Sequence, residues 1–262
     1  MIRRVLRRLV GERRGAPAPA RAWTLADYPV DPRARSLDDA WDPAFLAALD
    51  ADPASAAIEV HPGIYAIRPL RPAWCAALAA EVARLHRWAR ERGVTIDPPN
   101  SMNRYGVATL TLGLDLGPVR ERLAPLTRRL FPAHATALDA DHAFVVRYAP
   151  REDRELSFHA DDAEVTLNLC LADGFEGGEL YFEGPRCFAH LDTPARDGEP
   201  FVWAHQPGVG LLHAGANRHG ARPILGGERH NLIVWMRDGA ARAAREPGEP
   251  GPCPSWCGAR AT

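Results

Sequence analysis

Residues 157–161 read Ser157-Phe158-His159-Ala160-Asp161, and residues 164–171 read Glu164-Val165-Thr166-Leu167-Asn168-Leu169-Cys170-Leu171. The second run alternates. Val165, Leu167, Leu169 and Leu171 fall on one face, and Thr166, Asn168 and Cys170 on the other, which is the period of a β-strand. In the first run His159 and Asp161 are two apart, so a strand puts both side chains on one face, while Asp162 points the opposite way. His219 follows Asp161 after 57 intervening residues, and Arg229 stands ten residues beyond His219. Two histidines and one carboxylate form a facial set that leaves three positions on a metal open. Such a set suits ferrous iron in an oxygenase better than closed structural zinc. The arginine adds a planar fork for a carboxylate.

Short strands are expected at 143–148, 155–161, 164–171, 179–182, 200–204, 208–213, 218–222 and 230–236, with a turn at 175–178. Eight or so short strands separated by turn residues indicate a sandwich or jelly roll rather than a parallel α/β sheet. Six of the ten histidines lie between 159 and 230. Parity with Asp161 singles out His159, and distance to Arg229 singles out His219. His190, His205 and His230 have no partner by spacing.

The 262 residues allow one large domain or two small ones. Hydrophobic residues make up 46% and charged residues 25%, which is ordinary for a globular chain with a core. The net charge of −1 gives no global basic field to hold nucleic acid. All 32 basic residues are arginine. That excludes lysine Schiff-base chemistry, a P-loop lysine and a lysine general base. Five cysteines, at 75, 170, 187, 253 and 257, are odd in number and scattered, unlike a secreted disulfide framework. No stretch is long and apolar enough to span a membrane, and residues 1–20 lack the apolar centre of a signal peptide. The expected compartment is the cytoplasm, where iron stays ferrous.

Residues 1–14 carry six arginines and one glutamate. A frayed basic tail is expected, with surface contact to an anionic membrane as the weaker reading. Residues 16–20 read as a linker. Helix starts are expected at Ser36 and at Asp42-Pro43. Short strands are expected at 58–60 and 64–67, broken by Pro62-Gly63. The clearest helix runs over 72–92, with Pro72 in its first turn, Cys75, Leu78, Val82, Leu85 and Ala89 on one face, and Gly93 ending it. A strand is expected over 107–112. A helix follows through Val119, Leu123, Leu126 and Leu130, which Pro125 should break. Cys253 and Cys257 have no second cysteine pair or histidine near them in sequence, so a docked tail with free thiols is expected, a redox pair being the weaker alternative.

The run from Phe144 to Arg237 resembles the catalytic core of the 2-oxoglutarate/Fe(II)-dependent dioxygenases, in the prolyl and lysyl hydroxylase-like branch. Phe144-Val145-Val146-Arg147-Tyr148, the His159-x-Asp161 pair, Gly177-Gly178-Glu179-Leu180, and His219 with Arg229 carry that likeness. Met102-Asn103-Arg104-Tyr105-Gly106-Val107 and Ala163-Glu164-Val165-Thr166-Leu167-Asn168 are similar to the narrower 2-oxoglutarate and iron-dependent oxygenase domain-containing protein 2 group. The resemblance implies a mainly β fold with flanking helices. Its parts would be a basic tail (1–20), an N-terminal helical support region (21–137), a double-stranded β-helix (jelly-roll) core (138–238) and a C-terminal tail (239–262).

The resemblance also implies Fe(II) held by His159, Asp161 and His219, with 2-oxoglutarate and O2 as cosubstrates and ascorbate as a candidate reductant. Arg229 would pair with the far carboxylate of 2-oxoglutarate, Tyr148 would hydrogen-bond it, and Thr166 and Asn168 would line its pocket. His213 lies sixteen residues before Arg229, outside the family's spacing of about ten, so its expected role is supporting or structural. The implied reaction is hydroxylation of a small-molecule or peptide side-chain substrate with decarboxylation of 2-oxoglutarate to succinate and CO2. Two departures stand out. Cys170 replaces a frequent aromatic residue, and segment 101–106 lies outside the general pattern, which opens the substrate beyond prolyl and lysyl side chains. The rivals are a non-catalytic jelly-roll metal or ligand binder and a zinc-assisted hydrolase, the latter giving Arg229 no role.

Overall fold

The computed structural model describes residues 22–135, 137–243 and 253–259. The basic stretch at 1–14 and its expected surface contact lie outside the described residues. In chain order the elements are α1 (Pro43–Ala51), β1 (Ile58–His61), β2 (Ile64–Ile67), α2 (Pro72–Arg92), β3 (Gly106–Ala108), α3 (Gly117–Leu130), β4 (Ala140–Tyr148), β5 (Leu156–His159) and β6 (Val165–Cys170). There follow β7 (Phe175–Gly177), β8 (Leu180–Pro185), β9 (Pro200–Trp203), β10 (Gly210–Ala214), β11 (Asn217–Ala221), β12 (Ile224–Gly227), β13 (Arg229–Arg237) and α4 (Gly239–Ala243).

Two antiparallel sheets form the sandwich expected of the alternating pattern. The larger has seven strands in the order β1-β2-β10-β6-β13-β4-β3, and the smaller has four in the order β5-β11-β8-β9. A separate ribbon pairs β12 with β7. β6 explains the layering. Every residue of it is buried, because one face meets helices and the other meets the second sheet. Val165, Leu167 and Leu169 share a core cluster with α2 and α3. Thr166 and Asn168 turn inward, between the sheets. Ile64 and Leu211 of the larger sheet meet Leu180, Phe182 and Ala221 of the smaller one, closing the sandwich beside that polar strip.

The helices follow their end signals. Asp42 accepts from the backbone N–H groups of Ala44 and Phe45 at 2.9 and 3.0 Å to cap α1. Gly93 takes the left-handed conformation (φ 66°) that ends α2. Cys75, Leu78, Val82, Leu85 and Ala89 are all buried against the sheet. Each large member of that stripe stabilises the packing by about 1.5–3 kcal/mol, which is what holds the helix against the sheet.

Several local expectations are corrected. Ser36 starts no helix; its hydroxyl accepts from Asp38 N–H in a turn. The strand expected over 107–112 ends at Ala108 and gives way to a 3-10 turn, Thr109–Leu112, pinned by Thr109 Oγ1 donating to Ala143 O at 3.2 Å. Pro125 sits inside an unbroken α3, because burial of Val119, Leu123 and Leu126 outweighs the one lost backbone bond. Residues 175–177 are a strand, not a turn, because β12 pairs with them. The expectation for Cys253 and Cys257 also changes: Cys187 and His190, from the connection between β8 and β9, lie against both.

Candidate active site

His159 ends β5 and His219 lies at the centre of β11, and the two are paired across the ladder. Their rings stand 4.4 Å apart between centroids. The strand stops at His159, so Asp161 is not held by strand geometry. Its backbone N–H instead donates to Gly215 O at 2.9 Å, and Thr166 Oγ1 donates to its Oδ2 at 2.7 Å. Asp161 Oδ1 then lies 3.3 Å from His159 Nε2, and Oδ2 lies 3.8 Å from His219 Nε2. One donor atom from each of the three residues falls within 4.8 Å of the others. Edges near 3 Å are expected for octahedral ligands at about 2.1 Å from a divalent ion.

The tautomers suit that geometry. His159 Nδ1 faces Ser157 O at 2.7 Å, and His219 Nδ1 faces Asn217 O at 3.0 Å. A carbonyl accepts only, so each Nδ1 carries the proton and each Nε2 presents a lone pair inward. Burial holds His219 down to about 3, so the ring is neutral at neutral pH. Burial would raise Asp161, but the His219 and His159 rings outweigh it and keep the carboxyl well below the usual range. For His159, burial opposes the charge, and the Asp161 contact more than compensates, so its pKa is raised. A buried carboxylate flanked by two imidazoles is a donor set for a cation.

Arg229 opens β13, opposite Tyr148 on β4. It is 2% exposed, and among the described residues it has no carboxylate at ion-pair distance. Its Cζ sits 4.4 Å above the Tyr148 ring. Nη1 donates to Gly178 O. Gly178 holds φ +74°, and a Cβ there would crowd Nη1 at 2.8 Å, so the Gly177-Gly178 pair makes the space in which the guanidinium lies. Among the described residues the buried Nε has no hydrogen-bond partner. Tyr148 OH accepts from Asn103 Nδ2 at 3.0 Å.

One cleft takes in His159, Asp161, His219, Arg229, Tyr148, Thr166 and Asn168, together with Asn100, Met102 and Asn103 from the loop before β3. Its empty volume, counted out to open solvent, is about 500 Å³. All seven residues singled out from the sequence thus meet in one place. Thr166 touches Asp161, and Asn168 Oδ1 accepts from Asn231 Nδ2 at 2.6 Å. Asn231 was missed, although it lies two residues after Arg229 and so on the same face of β13, a parity that could have found it. His213 stands outside the three-donor group: its Nδ1 faces Ala214 O at 2.9 Å, and its ring lies 4.9 Å from that of His219.

Residues 32–136 match the OGFOD2-like domain family. The chain is 39% identical over 208 residues to the 2-oxoglutarate and iron-dependent oxygenase domain-containing protein ICU11 of Arabidopsis thaliana, covering 76% of this chain and 52% of that protein. It is 41% identical over 199 residues to 2-oxoglutarate and iron-dependent oxygenase domain-containing protein 2 of Homo sapiens, covering 74% and 52%. Among solved structures, a Pseudomonas putida prolyl-4-hydroxylase is similar at 22% identity and a TM-score of 0.49, over 77% of this chain and 98% of that one. The chain spans about half the length of the curated relatives it matches. The chain carries an OGFOD2-like domain, and the curated relatives it matches are 2-oxoglutarate and iron-dependent oxygenase domain-containing proteins.

Proposed function

We propose that this chain is an Fe(II)- and 2-oxoglutarate-dependent dioxygenase that hydroxylates a C–H bond of a small-molecule or peptide side-chain substrate. The observation that carries the reading is Arg229, a buried guanidinium with an unpartnered Nε, opening onto the same cleft as the three metal donors. A buried cation without an ion-pair partner is costly, and a ligand carboxylate is the group that relieves it with paired hydrogen bonds. A metal-only binder or a hydrolase has no use for that arginine.

His159 Nε2, an Asp161 oxygen and His219 Nε2 would hold the iron on one face. Thr166 fixes the carboxylate by donating to Oδ2, which leaves Oδ1 directed at the ion. Arg229 takes the distal carboxylate of 2-oxoglutarate, steadied from one side by Gly178 O and from the other by the Tyr148 ring. Asn103 orients the Tyr148 hydroxyl towards the same ligand. When bound, iron and 2-oxoglutarate supply oxygen activation coupled to decarboxylation, giving succinate and CO2. The apolar walls from Leu156, Leu180, Ile233 and Trp235 exclude water from that chemistry.

The test is succinate formation by protein loaded anaerobically with Fe(II), then exposed to O2 and 2-oxoglutarate with a panel of candidate substrates. Uncoupled turnover above the Asp161→Ala background is expected even without the right substrate. Absence of 2-oxoglutarate binding to the iron-loaded protein defeats the reading.

A further inference from the structure

Away from the cleft, four side chains with metal-binding atoms converge: Cys187 and His190 from the connection between β8 and β9, and Cys253 and Cys257 from the C-terminal segment. His190 Nδ1 lies 3.1 Å from Cys187 Sγ, 3.6 Å from Cys253 Sγ and 3.7 Å from Cys257 Sγ. Cys187 Sγ and Cys253 Sγ are 3.9 Å apart, too far for a disulfide at about 2.05 Å. A tetrahedral zinc ion with sulfur at about 2.3 Å and nitrogen at about 2.05 Å sets S···S edges of about 3.8 Å and S···N edges of about 3.6 Å. Three of these four separations match those edges, the His190–Cys187 one is about 0.5 Å short, and all four donor atoms lie within 4.8 Å of one another, which is the compactness a single ion requires. We infer that Cys187, His190, Cys253 and Cys257 form a closed, structural zinc site distinct from the proposed iron centre.

The surroundings favour an anionic cluster there. Two guanidiniums, Arg186 at 1% exposure and Arg218 at 2%, are buried beside it. Arg186 pairs with Glu199 at 2.7 Å. Arg218 donates to the backbone carbonyls of Glu183, Gly184, Leu191 and Thr193, at 2.6 to 3.3 Å. Both guanidiniums lie within electrostatic reach of Cys257 as well as of the Glu183 and Glu199 carboxylates. Three thiolates, one neutral imidazole and Zn2+ carry a net charge of −1, which the two neighbouring guanidiniums favour. Cys187 N–H also donates to Cys257 Sγ at 3.4 Å, a contact that stabilises a thiolate. Binding releases three protons, one from each thiol, so zinc affinity rises with pH.

The donor set also distinguishes this site from the cleft. Three sulfurs and one nitrogen close all four tetrahedral positions, so the site leaves no position for substrate. What it does is tie chain segments together. Gly258 N–H donates to Pro185 O at 3.0 Å, and Arg186 N–H donates to Ala216 O at 3.0 Å. The site thus clamps the C-terminal segment to the end of β8, next to the turn into β11, the strand that carries His219.

The decisive measurement is the metal content of protein purified without chelators, with iron then removed by a mild chelator. One equivalent of zinc should remain in the wild type and in His159→Ala. A Cys253→Ser/Cys257→Ser double variant should hold zinc at least about 100-fold more weakly. Substitution of the wild type with Co2+ should show thiolate-to-cobalt charge-transfer absorption of tetrahedral type. Should the double variant fail to fold, stepwise thiol modification of the wild type serves instead, and zinc release should track the loss of three thiols. Zinc lost in His159→Ala but retained in the double variant, iron in place of zinc, or cobalt without thiolate bands each overturns the inference. None of these outcomes depends on 2-oxoglutarate turnover, so failure here and failure of the dioxygenase reading are separately visible.

Discussion

Replacing Arg229 with alanine should abolish cosubstrate binding while leaving metal binding intact. Of the five guanidinium donors, Nη1 already serves Gly178 O, and Nε has no partner among the described residues. A ligand carboxylate would therefore meet a desolvated cation with at least two donors to offer. Truncating one side of a buried, charge-assisted pair costs about 3–5 kcal/mol, roughly 150- to 5,000-fold in affinity. Calorimetric titration of 2-oxoglutarate into anaerobic protein loaded with Mn(II) or Fe(II) measures this directly. Arg229→Lys keeps the charge but not the fork, so it should fall between the two. The alanine variant also leaves Gly178 O without its partner and opens a void beside Tyr148. The lost Gly178 bond costs about 1–3 kcal/mol of folding stability and removal of the unpaired buried cation offsets part of it, so stability must be measured alongside. Metal affinity should not change, since none of the three donors contacts Arg229. A folded Arg229→Ala protein that binds 2-oxoglutarate within threefold of wild type would refute the reasoning.

Asp161→Ala should eliminate iron binding and succinate formation together, read by metal analysis and product assay. Thr166→Val, which removes only the 2.7 Å bond to Asp161 Oδ2, should weaken iron binding about 10- to 100-fold, with Thr166→Ser restoring it in a chelator competition. Asn103→Ala frees the Tyr148 hydroxyl and should raise the KM for 2-oxoglutarate several-fold with little change in kcat. His230 is buried and held down to about 4 from an ordinary 6.5, with its Nε2 unpartnered. An unfolded chain protonates it first, so its stabilising contribution is complete above pH 6.5 and is lost as pH falls through 4. Chemical denaturation of His230→Gln should show an acid slope shallower by roughly 3 kcal/mol at most across that window.

Much of the sandwich could be read from alternation because the two faces of a strand meet different surroundings, and β6 shows this in full, with Val165, Leu167 and Leu169 against the helices and Thr166 and Asn168 towards the cleft. The helix at 72–92 was equally legible, since its stripe and both end signals agree. What failed was local pattern under tertiary control. Residues 109–112 alternate like a strand, but Thr109 bonds sideways to Ala143, and the chain turns. Residues 175–177 look like a turn until β12 arrives to pair with them. In the cleft, spacing found His159, His219 and Arg229. The parity argument reached Asp161 although the strand ends two residues earlier, because Gly215 and Thr166 hold the side chain where an extended strand would have put it. The cysteine cluster could not be seen from spacing: Cys187 and His190 lie 66 and 63 residues from Cys253 in sequence, and only the docked tail brings them together.

The strand order of the larger sheet dictates when this protein can become competent during its own synthesis. β2 waits for β10, and β4 waits for β13. The first hairpin therefore leaves the ribosome with an open edge that cannot be satisfied until β10 has been made. Such distant pairings make folding slow and expose apolar edges to chaperones and to other nascent chains. The proposed donor set is likewise completed only with β11, because His219 is made after His159 and Asp161.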